Sequence, residues 1–99
     1  MSSRRRPRRS SGSRHRVTIL QQECLEDLEH RLRTDRKVAL KVFRLMKEVR
    51  RDPFAGVGRP EPLKHLGPDV WSRRITAQDR LVYRVGDDFV DFLQARYHY

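Results

Sequence analysis

Residues 52–70 hold four prolines and three glycines, and this segment divides the chain into two halves of different character. Prolines at that density end helices and interrupt strand ladders, because each lacks an N–H and fixes its φ. Any helix upstream must therefore finish before Pro53. The strand-like runs of the C-terminal side are expected beyond this segment. Upstream, apolar residues recur at a helical period; downstream, they alternate.

The upstream half opens on Arg16-Val17-Thr18-Ile19-Leu20, whose β-branched alternation predicts a short first strand. Gln21 to Leu32 then places Leu25, Leu28 and Leu32 at helical spacing, with Glu23, Glu26, Asp27 and Glu29 on the remaining faces. The acids lean toward its N-terminal end and Arg31 and Arg33 follow, as the helix dipole favours. Thr34 or Asp35 is expected to cap a second helix running to about Arg51, with Ala39, Val42, Phe43, Met46 and Val49 as its buried stripe. Downstream lie three strand-like runs, Trp71–Thr76, Arg80–Val85 and Phe89–Tyr97, joined by Ala77-Gln78-Asp79 and Gly86-Asp87-Asp88. With 52–70 read as loop, the expected order is strand, helix, helix, then a three-strand meander. That is an α+β fold of two helices on a mostly antiparallel sheet.

Charge is spread unevenly over the 99 residues, whose formal net charge is +10. Residues 1–15 carry six arginines, no acid and no large apolar residue beyond Met1. Such a segment has nothing to bury and is expected to stay disordered. Loose arginines could touch nucleic acid by releasing counterions from phosphates, or the segment could be a plain solvated extension; no site is placed there. The remainder, 16–99, is modestly basic. No apolar run approaches the ~18–20 residues that span a bilayer, and the N-terminus lacks the apolar core of a secretion signal. The single Cys24 cannot form an internal disulfide, so a reducing, cytoplasmic setting fits. Four histidines scattered without cysteine companions leave no zinc-site spacing. A small basic domain of this kind points to a polyanionic partner.

Three positions suggest chemistry. Glu61 lies between Pro60 and Pro62, Arg80 opens a strand on the face shared with Val82 and Arg84, and His98 ends the last strand beside Tyr99. A glutamate, an arginine and a histidine match what RNA cleavage through its own 2′-hydroxyl requires. A base takes the 2′-OH proton, an acid protonates the 5′-oxygen, and a fixed cation stabilises the phosphorane. No metal is needed, since RNA supplies the nucleophile. Each residue also has an ordinary reading: a solvated loop carboxylate, a surface ion pair, a fraying terminus.

Four ordered blocks sharpen the choice. They are Arg50-Arg51-Asp52-Pro53-Phe54 running into Gly56-Val57-Gly58-Arg59-Pro60-Glu61-Pro62-Leu63-Lys64-His65; Trp71-Ser72-Arg73-Arg74-Ile75; Arg80-Leu81-Val82-Tyr83; and Arg96-Tyr97-His98-Tyr99. Together they resemble the Txe/YoeB toxins of the RelE superfamily over 16–99, leaving only 1–15 unmatched. The resemblance implies a RelE-like (microbial-ribonuclease-like) fold. It implies a bacterial type II toxin that inhibits translation by cutting mRNA in the ribosomal A site, leaving 2′,3′-cyclic phosphate and 5′-OH ends. On that resemblance Glu61 is the general base, Arg80 stabilises the scissile phosphate, His98 is the general acid and Tyr99 positions phosphate or base. Lys64, Arg73 and Arg74 fall at basic positions expected to contact RNA. It further implies no cofactor or metal, a YefM/Phd-type antitoxin partner, a homodimer on the ribosome, and operator DNA reached only through the antitoxin. Leu20 and Leu25 stand where members often carry aromatics, and are expected in the core. The competing reading is a noncatalytic module that blocks translation by occupying RNA or the ribosome, which would need no glutamate in an RNA groove. A DNA-binding repressor finds no helix-turn-helix signature.

Overall fold

The computed structural model describes residues 16–98; Tyr99 and the arginine-rich segment 1–15 lie outside them. The chain runs β1 (Val17–Leu20), α1 (Gln22–Thr34), α2 (Arg36–Arg51), β2 (Glu61–Pro62), a single 3₁₀ turn (Lys64–Leu66), β3 (Val70–Arg74), β4 (Asp79–Val85) and β5 (Phe89–His98). The strands form one sheet in the order β1-β5-β4-β3-β2. β1 runs parallel to β5 and every other pairing is antiparallel. Among the described residues, no helix is long and apolar enough to cross a membrane.

Asp35, rather than Thr34, caps α2: its carboxylate accepts from the backbone N–H of Val38 at 3.3 Å. The Thr34 hydroxyl instead donates to the His30 carbonyl, closing α1. At the other end, Asp52 ends α2 one residue before Pro53, which cannot continue it.

Both helices cover one face of the sheet. Leu28 from α1 and Val42, Leu45, Met46 and Val49 from α2 pack on Leu81, Tyr83, Val90 and Phe92. Each such side chain stabilises the fold by ~1.5–3 kcal/mol through burial. The inward stripe of α1 is Cys24, Leu28 and Arg31. Leu25 and Leu32, expected inside, are exposed, as are Leu20 and Phe43. The expected and observed stripes share Leu28 and differ by a rotation of one residue. Arg31 and Asp27 hold the backbone of Ala95 on β5, and this bonding turns the helix so that Leu25 and Leu32 face away.

Segment 52–70 is not all loop. Glu61 and Pro62 pair with Ser72 and Trp71, adding a fifth strand at the sheet edge. Pro62 is tolerated because an edge strand can spare an N–H. The two hairpins lie where they were expected, but Asp79 is the first residue of β4 rather than part of a turn.

Paired residues on neighbouring strands point to the same face. Glu61 faces Ser72, Ser72 faces Val82, Arg74 faces Arg80, and Arg80 faces Tyr97. These side chains share the face that the helices leave uncovered. A small apolar cluster of Leu63, Val70 and Val82, with Leu93 and Tyr97 against it, forms its floor.

Candidate active site

Loop 52–60 reaches this open face because it is pinned from beneath. Arg73 has no exposed surface, and its guanidinium donates to the carbonyls of Asp52, Ala55 and Val57. Its Nε donates to the Tyr83 hydroxyl at 3.3 Å, which in turn donates to the Pro53 carbonyl at 2.7 Å. Burial pushes the Tyr83 phenol above its ordinary value, and the Arg73 hydrogen bond opposes that shift. The RNA contact expected of Arg73 is thereby overturned. A strand's alternation sends one of two adjacent arginines inward, and here the loop's carbonyls take it. Arg74, its neighbour, is exposed on β3 directly across from Arg80.

Further along the loop, Gly58 at φ +90° and Arg59 at φ +53° turn the chain back toward β3. The Arg74 N–H donates to the Gly58 carbonyl at 2.6 Å. This turn delivers Glu61 alongside Ser72.

Arg80 is the centre of the site. Its Nε donates to Ser72 Oγ at 2.6 Å, and its Nη2 donates to the Arg59 carbonyl at 3.2 Å. The same Nη2 stands 3.2 Å from Glu61 Oε1. The Arg80 side chain is 6% exposed and that of Glu61 is 45% exposed. The cation is thus fixed and desolvated while the carboxylate remains open to a ligand. A half-exposed pair of this kind adds little to stability, ~0–1 kcal/mol. Its value is geometric: a base and a rigid positive charge face one open surface.

Tyr97 lies on β5 beside Arg80, and its hydroxyl is 3.1 Å from His65 Nε2 in the 3₁₀ turn. The exposed Lys64 precedes His65 in that turn. The open face therefore gathers Glu61, Arg80 and Tyr97, and sequence order gave no sign of the His65–Tyr97 contact.

His98 is placed differently. It pairs with Asp79 across the β4–β5 ladder, and its Nδ1 is 3.1 Å from Asp79 Oδ1. Its side chain is 74% exposed. Since Asp79 and Arg80 are consecutive in a strand, His98 points to the opposite side of the sheet end from Arg80. The structure brings Glu61 and Arg80 together and draws His98 to Asp79. Tyr99, expected to position the substrate, lies outside the described residues. Ser72, Asp79 and Tyr97 were missed by sequence reasoning. Only the strand register reveals that Ser72 and Tyr97 flank Arg80, while Asp79 was hidden by its place in an expected turn. Among the described residues, no three His, Cys, Asp or Glu side chains form a group that could hold a metal ion.

Comparison with known proteins gives a consistent result. The sequence model of the YoeB-like toxin of bacterial type II toxin–antitoxin systems matches residues 20–99. Toxin RelK of Mycobacterium tuberculosis is 54% identical over 77 residues, covering 78% of this chain and 91% of that protein. The YoeB dimer of Staphylococcus aureus superposes with a TM-score of 0.79 at 31% identity, over 86% of this chain and 99% of that one. The toxin in the heterotetrameric YoeB–YefM complex of the same organism superposes with a TM-score of 0.73 at 32% identity, over 85% and 98% respectively.

Proposed function

The chain belongs to the YoeB-like toxin family of bacterial type II toxin–antitoxin systems, and from that premise we propose that it is a ribosome-dependent mRNA endoribonuclease. The observation that carries this reading is the Glu61–Arg80 pair, held at 3.2 Å on the open face of the sheet. A module that only binds RNA gains nothing from a carboxylate there, because phosphates repel it.

In the proposed reaction, message enters over the open face in the ribosomal A site. Glu61 Oε1 accepts the 2′-OH proton as the oxygen attacks the adjacent phosphorus. Arg80, already fixed by Ser72 and Arg59, needs no reorganisation to stabilise the charge that develops on the phosphorane. His98 then gives a proton to the departing 5′-oxygen, leaving a 2′,3′-cyclic phosphate and a 5′-OH end. In-line displacement places base and acid at opposite ends of the phosphorus. Glu61 on β2 shares the open face with Arg80 on β4, and His98 on β5 comes to the leaving oxygen around the end of the sheet, from the side of Asp79. Exposed Lys64 and Arg74 supply phosphate contacts, and Tyr99 helps to position the substrate. The activity resides in 16–99, requires no cofactor or metal, and takes place in the cytoplasm, where ribosomes are.

By analogy with the Staphylococcus aureus YoeB–YefM complex, we assign it a YefM/Phd-type antitoxin, through which it reaches operator DNA. The dimer seen for that organism's YoeB supports self-association here.

The test is induction of the protein and of the Glu61→Gln and His98→Gln variants, with mRNA 5′ ends mapped by primer extension. New ends inside codons for the wild type alone are expected. Translation arrest on intact message would instead establish the occupancy mechanism.

A further inference from the structure

Asp79 is clamped on every side but one. Its backbone N–H donates to Thr76 Oγ1, and its carbonyl accepts from the N–H groups of Ile75 and Thr76. Its Oδ2 pairs with Arg31 Nη2 at 2.7 Å, with the two side chains 15% and 10% exposed. Arg31 is fixed in turn, because its Nε and Nη2 both donate to the Ala95 carbonyl, at 3.3 and 3.0 Å. The Ala95 N–H donates to Asp27 Oδ2 at 2.8 Å. These α1 side chains satisfy β5 where its register with β4 shifts. The irregular strand, the helix and the start of β4 are thus locked together, and Asp79 is the point where they meet.

What this arrangement leaves over is Asp79 Oδ1. That oxygen is buried, no hydrogen bond of full geometry satisfies it, and His98 Nδ1 stands 3.1 Å away. An unsatisfied buried carboxylate oxygen draws the nearby proton donor to it. With Nδ1 turned to the carboxylate, Nε2 is the ring nitrogen left to face a ligand from a largely exposed side chain. An imidazole held by one nitrogen and working with the other is a general arrangement for proton transfer.

We propose that Asp79, anchored by Arg31, is the positioning residue for His98: it fixes the ring and keeps Nδ1 protonated, so that Nε2 delivers the proton to the leaving oxygen. Neither Asp79 nor Arg31 touches the substrate. The inference rests on the reading of His98 as general acid.

The experiment joins kinetics to a signal that does not depend on turnover. Asp79→Asn should lower the ribosome-dependent kcat by about tenfold with KM unchanged, a modest share of what a general acid supplies. The ¹⁵N resonance of His98 Nδ1, assigned by its disappearance in His98→Gln, should move in Asp79→Asn. Asp79→Glu should recover part of both effects. Arg31→Gln should lower kcat in the same way, and combining it with Asp79→Asn should add little, because both act through one carboxylate. Thermal melts identify any variant that fails to fold, and the conservative Asp79→Glu then decides on the nitrogen signal. Unchanged kcat and an unmoved Nδ1 resonance in Asp79→Asn overturn the proposal. So does faster cleavage, which would show that Asp79 parks the ring away from the reaction. Failure of the parent reading is separately visible: His98→Gln would then cleave at the wild-type rate, whatever the nitrogen signal reports.

Discussion

Arg73 Nε donates to the Tyr83 hydroxyl at 3.3 Å beneath loop 52–57, and neither residue has any exposed surface. The adjacent Arg74 is exposed and faces Arg80 across the ladder. Two neighbouring cations of one motif therefore do different work, and mutation separates them. Arg73→Met should destabilise the fold by ~2–4 kcal/mol, because three loop carbonyls lose a charged donor at once. Chemical denaturation measures this. Even Arg73→Lys should recover only part, since an ammonium lacks the fork that reaches several acceptors. Arg74→Ala should leave the unfolding free energy within about 0.5 kcal/mol of wild type. It should weaken ribosome or RNA binding instead and reduce the salt dependence of log K by about one.

Replacing Glu61 isolates chemistry from structure. Its carboxylate is 45% exposed, and its ion partner Arg80 is otherwise held by Ser72 and Arg59. Glu61→Gln should change stability by less than about 1 kcal/mol. The rate of message cleavage should fall by ~10²–10⁴-fold, the span a general base supplies. A variant that melts normally and still cuts at the wild-type rate would remove Glu61 from the reaction.

Gly58 links the loop's shape to the position of Glu61. At φ +90° an added Cβ would approach Arg73 Cβ at 3.1 Å and the Arg74 carbonyl at 3.3 Å. Neither neighbour can yield, since Arg73 is locked and the carbonyl belongs to β3. Gly58→Ala should therefore destabilise by ~1–3 kcal/mol. It should also depress kcat beyond any effect on folding, as β2 lifts from β3 and Glu61 leaves Arg80. Steady-state kinetics on the fully folded fraction, set beside the melt, checks both parts.

Cys24 gives a prediction in pH. Burial, with smaller contributions from Asp27, Asp91 and Glu23, pushes its thiol from 9.0 up to about 12. Below 9.0 the thiol is neutral in folded and unfolded chains alike, and its contribution to stability is complete. Above that value the unfolded chain ionises while the folded one does not, so stability falls as pH rises toward the folded value of about 12. At about pH 10 the loss from this group should be roughly 1 kcal/mol relative to about pH 8. Cys24→Ala should flatten that part of the denaturation-versus-pH curve. A slope equal to that of wild type would show that the thiol titrates alike in both states.

The division of the chain at 52–70, the two helices, the meander and the α+β class were all legible in the residues themselves. Periodicity, capping and proline placement are local properties, and each reports on the backbone within a few positions. The pairing of Glu61 with Arg80 was half legible: both residues could be named from their setting and the family blocks, though not their contact. The face each side chain takes was less accessible. Arg73 goes inward and Arg74 outward, and α1 buries Cys24, Leu28 and Arg31 while Leu25 and Leu32 stay exposed. Along a strand, one residue reverses a side chain's direction, and around a helix one residue turns it by about 100°. Which residue wins depends on carbonyls supplied from distant parts of the chain: loop 52–57 for Arg73, Ala95 for Arg31. Sequence alone therefore determined the two helices, the first strand and the meander, though not the edge strand Glu61–Pro62, and which residues could do chemistry. Only the tertiary structure decided register and facing, and through them that Arg80 meets Glu61 and His98 meets Asp79.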